Sequence, residues 1–170
     1  MTKRRLINRL KWYYPLEKLH TFFTFPLLLL YVLWSYSWHE IIFLCYGLLV
    51  CIFILYQGQL YWNLKLKKLR NIPFNQQYNL KFFRKSRKIN LLLLFLMPAI
   101  LLSQLILQGN FFLSSELIWG VIANIFAVLE YINYYHTQLM IDNKYDMNYV
   151  LRNKKLKKAS LAGDLQRNCI

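Results

Sequence analysis

Four uninterrupted apolar runs, none containing a lysine or arginine, constrain this chain more than any other feature. They are HTFFTFPLLLLYVLWSYSW (20–38), IIFLCYGLLVCIFILYQGQLYW (41–62), NLLLLFLMPAILLSQLILQ (90–108) and ELIWGVIANIFAVLEYINYYH (116–136). A hydrocarbon core about 30 Å thick takes about 20 helical residues to cross, so each run suffices for one passage. Backbone groups inside lipid must bond internally, and for separate runs of this length the helix is the form that achieves it. The expected fold is an all-α integral membrane protein with four transmembrane helices in two hairpins and helix extensions beyond the bilayer.

A formal charge of +15, from 22 Lys and Arg against 7 Asp and Glu, would suggest a nucleic-acid partner in a soluble protein. Position argues otherwise. The basic residues fall into three blocks, residues 1–19, 63–89 and 137–170, and the other two connections contain none. With four crossings the three blocks share one side, and Lys and Arg accumulate on the cytoplasmic side of membrane proteins. Both termini are therefore expected in the cytoplasm, and nucleic acid is not an expected partner. Tryptophan agrees with this scheme: Trp34, Trp38, Trp62 and Trp119 fall at or near span ends, where indole prefers the headgroup layer.

The chain divides into a basic amphipathic segment (1–19), a bundle (20–136) containing a basic loop (63–89), and a basic C-terminal helix or tail (137–170). In the first segment Leu6, Ile7, Leu10 and Tyr13 or Tyr14 share a helical face suited to the headgroup plane, and Pro15 is expected to turn the chain toward the first span. The second span is expected to continue as helix until near Pro73, and the fourth to continue into TQLMIDNKYDMNYVLRNKKLKK. No cleavable leader and no C-terminal lipid signal is read from the sequence.

Chemistry-bearing residues inside the spans are few. Glu130 lies about 20 Å along its helix from the outer end, a depth at which a bare carboxylate is costly, so it is expected to face the bundle. Asn133, Tyr134 and Thr137 share its face, whereas His136 lies about 120° round. His20, Gln57, Gln59 and Asn90 lie at similar depth on other helices, which defines an inner polar cluster of Glu130, Asn133, His136, His20, Gln57 and Gln59. Asn, Gln and His act as adhesive between helices, and this reading is preferred to a site for a proton, a lipid headgroup or a small solute.

No cofactor and no metal is expected: the three histidines lack an i, i+4 partner, and His20 and His136 read as interfacial residues rather than haem ligands. Local signatures of nucleophilic catalysis are missing too. Lipoprotein signal peptidases are similar in size and topology, but their paired aspartates near the membrane have no counterpart, since Asp142, Asp146 and Asp164 all lie in the C-terminal segment.

The most populated feature is the loop carrying Lys65, Lys67, Lys68, Arg70, Lys81, Arg84, Lys85, Arg87 and Lys88 without one acid. Each such residue near an anionic surface gains about 1 kcal/mol, and nine exceed what orientation needs. These residues are assigned to anionic headgroups or an acidic partner. The expected function is a non-enzymatic accessory, assembly or scaffold subunit that binds other membrane proteins and anionic lipids. The alternative is a small carrier or lipid-active enzyme centred on Glu130. The expected location is a bacterial inner membrane.

Overall fold

Pro15 does not redirect the chain. In the computed structural model, which describes residues 3–109, 114–141 and 144–170, α1 (Lys3–Leu19) passes through Pro15, enters a π-helical turn at His20–Thr24 and continues as α2 (Phe25–Ser35). An internal proline removes one backbone bond and crowds a carbonyl, a cost that neighbouring contacts offset. Here both flanks of Pro15 are held: Leu10 is buried, Asn63 Nδ2 donates to Tyr14 Oη at 3.2 Å, and Tyr134 Oη donates to Glu17 Oε1 at 2.5 Å. The π turn falls just ahead of Pro26, and Phe25 N–H reaches His20 O across it. A single wide turn of this kind adjusts the ladder where a residue without N–H follows.

The remaining elements are α3 (Trp38–Leu69), α4 (Gln76–Gln108), α5 (Ser115–Tyr135), α6 (Lys144–Asn153) and α7 (Ser160–Arg167). Among the described residues four helical stretches are long and apolar enough to cross a membrane: Leu10–Ser35, Trp38–Leu69, Gln76–Gln108 and Ser115–Tyr135. Their ends follow local chemistry. Past Leu69 the chain turns through Asn71 at φ 58°, and Ile72 N–H bonds Lys67 O at 2.9 Å, so α3 stops short of Pro73 as the sequence indicates. Asn75 and Ser114 cap α4 and α5 through the N–H groups of Tyr78 and Leu117, and Gly109 at φ 64° closes α4.

The core is built around α3. Its small residues let α5 approach: a Cβ on Gly58 would lie 2.3 Å from the Tyr134 ring, and one on Gly47 would lie 2.6 Å from Asn124 Nδ2. Gly120 of α5 returns the arrangement against Phe43 and Leu44, and Ala127, two turns further along the same face, is fully buried. In lipid, where burial of apolar surface gives no driving force between helices, such close contact supplies van der Waals attraction instead.

α5 ends at Tyr135 and does not run on through residues 137–158, contrary to the continuous extension expected. The backbone is captured by a competing partner: Gln138 N–H donates to Lys157 O at 2.8 Å, Ala159 N–H donates to His136 O at 3.1 Å, and Thr137 pairs with Lys158 in an isolated bridge. This turn brings α7 back under α3 and α4. Leu161, Leu165 and Ile170 are buried in the main core, and Asp164 is buried beneath it. Asp164 Oδ2 accepts from Tyr61 Oη at 2.7 Å and pairs with Lys65 Nζ at 2.5 Å, while Oδ1 pairs with Arg167 at 3.0 Å.

Candidate functional site

The inner polar residues separate into three groups. The first is a clasp across three helices. Gln57 Nε2 on α3 donates to Asn90 Oδ1 on α4 at 3.0 Å, Asn90 Nδ2 donates back to Gln57 Oε1 at 2.8 Å, and Tyr135 Oη on α5 donates to the same Oε1 at 2.6 Å. Gln57 also donates to Phe53 O at 2.9 Å. Gln57 and Asn90 are both 0% exposed. Interhelical bonds in lipid contribute about 0.6 kcal/mol each, and leaving one such group unpaired costs about 1–3 kcal/mol. The clasp therefore fixes the rotation of three helices more than it adds net stability. A matching pair of bonds lies near the opposite end of α3, where Gln104 accepts from Phe43 N–H at 2.7 Å and donates to Glu40 O at 2.8 Å.

The second group surrounds Glu130. The structure places it against Asn133 and within electrostatic reach of Glu17 and Tyr134. Glu17 falls within the 1–19 segment, yet its Oε1 accepts from Tyr134 and its Oε2 is buried without a partner among the described residues. Glu17, Asn133 and Tyr134, with Tyr13, Trp62 and Gln138 among others, line a cavity of about 100 Å³ whose lining does not include Glu130. Asn133 is further used at the helix end, where its Oδ1 accepts from Leu139 N–H at 3.0 Å. Gln59 is buried elsewhere on α3. His20 stays within its own π turn, its Nδ1 3.2 Å from Thr24 Oγ1.

The third group is the basic end. Lys65 is engaged by Asp164, Lys68 donates to the Ile170 carbonyl and to Cys169 Sγ, and Arg84 donates to Asn168 Oδ1. These bonds depend on the return of α7, which the surrounding Lys and Arg mask in the sequence. Arg70, Lys81, Lys85, Arg87 and Lys88 stay exposed, and Lys67 is half-buried. His136, exposed beyond the end of α5, has its Nε2 3.4 Å from Tyr131 Oη, and partial burial followed by the Arg87 guanidinium holds it below its ordinary imidazole value. Among the described residues no group of three His, Cys, Asp or Glu side chains is placed to hold a metal ion.

Helices of this length and apolarity define the class: a multi-pass α-helical membrane protein. The sequence matches no protein-family model, no curated protein and no solved structure.

Proposed function

We propose that this chain is a non-enzymatic accessory or scaffold subunit, which packs against other membrane proteins and holds anionic lipid with its basic end. In this reading the basic end faces the cytoplasm and the membrane is the inner membrane of a bacterium, following the segregation of all 22 basic residues. The observation that carries the reading is that every side-chain N and O of Gln57, Asn90 and Tyr135 already has a partner inside the bundle, the use expected of interhelical fasteners. α2 and α4 meanwhile offer broad apolar faces, with Trp34 92%, Phe95 82% and Ile106 76% exposed. Such faces suit lipid or a neighbouring transmembrane helix.

A second reading, a carrier or lipid-active enzyme, is favoured by one observation, the unpartnered Glu17 oxygen beside Tyr134 and Glu130. The two readings part under substitution. On the scaffold reading, Glu17→Gln and Glu130→Gln proteins purified in mild detergent recover the same membrane-protein partner and anionic lipid as the parent, because an amide keeps size and hydrogen bonding. Folded Gln variants that lose biological complementation while retaining that partner would instead assign the chain to proton-dependent chemistry at these carboxylates.

A further inference from the structure

At the basic end α4 presents Arg84, Arg87, Lys88 and Leu91, spaced i, i+3, i+4 and i+7 and so aligned along one helical face. This face forms one wall of a cleft of about 570 Å³. His136 and Thr137 at the end of α5 and Lys158 ahead of α7 close it. The backbone bonds between residues 136–138 and 157–159 fix where Lys158 stands, so the cleft depends on the same return that ends α5. No described acidic side chain lines it.

The described acids of the C-terminal segment are committed to other partners. Asp164 serves Tyr61, Lys65 and Arg167, and Asp146 serves Lys157 and Gln138. Of the cleft's cations, Arg84 donates to the neutral Oδ1 of Asn168 and Lys158 to the neutral Oε1 of Gln166. Those bonds orient the two cations, and no described acid of the cleft lining offsets their charge. Two guanidinium and two ammonium groups lining one cleft, with no described acid among them, match a phosphate, which accepts bidentate bonds from Arg. Leu91, 49% exposed, continues the same wall toward the apolar stretch of α4. A ligand with a phosphate at one end and hydrocarbon at the other therefore fits both parts.

We propose that the cleft formed by Arg84, Arg87, Lys88, His136 and Lys158 is a specific site for the phosphate of an anionic lipid headgroup, with an acyl chain running over Leu91. This rests on the proposed function and sharpens it, since it confines lipid recognition to one cleft rather than spreading it over the whole basic face. Arg87 and Lys88 supply charge, while Arg84 and Lys158, held by their amide partners, set its position.

The test uses the full chain in detergent, titrated with phosphatidylglycerol, phosphatidylcholine or glycerol phosphate and followed by native mass spectrometry. The parent is expected to retain phosphatidylglycerol over phosphatidylcholine. Arg84→Gln/Arg87→Gln/Lys88→Gln is expected to weaken that retention about tenfold or more, and the matched loss of three charges in Lys67→Gln/Lys81→Gln/Lys85→Gln by less than about threefold. The single variant Arg87→Gln, which alters an exposed side chain, is expected to fall between them and guards against misfolding of the triple variant. Glycerol phosphate is expected not to displace the lipid at equal concentration, and displacement would assign the site to a free phosphate ester instead. Equal weakening by both triple variants would overturn the cleft while leaving lipid binding by the basic face intact. A parent that holds no anionic lipid would remove the lipid part of the proposed function itself.

Discussion

α3 and α4 differ by one residue in length, 32 against 33, and their most apolar windows have the same mean hydropathy, yet 61% of that window is buried in α3 and 17% in α4. Apolarity alone does not decide which helix becomes central. α3 carries Gly47, Cys51 and Gly58 at positions that face α5, so another backbone can come close. α4 carries Leu91, Leu92, Phe95 and Leu96 in the corresponding apolar stretch, and all four remain exposed. In lipid a leucine gains little by leaving hydrocarbon for a protein neighbour, whereas a glycine allows contacts that a larger residue forbids. Small residues, with the amides Gln57 and Gln104 as fasteners, separate the hub from the periphery.

That contrast is broken most severely by filling the hub. Gly58→Val places side-chain atoms where the Tyr134 ring and hydroxyl stand, so the buried ring must shift and give up its bond to Glu17. Thermal unfolding in detergent should show a loss of about 3 kcal/mol. A Gly58→Val protein as stable as the parent would mean that α3 and α5 are not in close contact there. At the other extreme, Phe95→Ala on α4 removes a side chain that is 82% exposed and should change stability by less than about 0.5 kcal/mol. A large loss at Phe95 in the isolated chain would place α4 inside the bundle and abolish the distinction.

Much of this arrangement was legible in the sequence and some was not, for identifiable reasons. The four spans and the segregation of charge follow from hydropathy and length, properties that survive without knowledge of helix rotation. Gln57 and Asn90 could be placed at one depth, but their pairing with Tyr135 depends on how three helices are rotated, which depth does not encode. The contact of Glu17 with Tyr134 is hidden in the sequence because Pro15 reads as a break, whereas the helix runs through it and puts Glu17 on the same helical stretch as the first span. The return of α7 was obscured by the surrounding Lys and Arg. Its signal was present in Leu161, Ala162 and Leu165, a short apolar stripe at helical spacing that the structure buries.

The central claim is that the inner amides hold helices together. Its most direct measurement is a double-mutant cycle on Gln57→Leu and Asn90→Leu, read by reversible unfolding in detergent. Each single substitution strands its buried partner and should cost about 2 kcal/mol, while the double substitution removes both polar groups and should cost less than the sum by about 1 kcal/mol. Costs that add to within about 0.3 kcal/mol would show that the two amides do not meet, and would contradict the clasp.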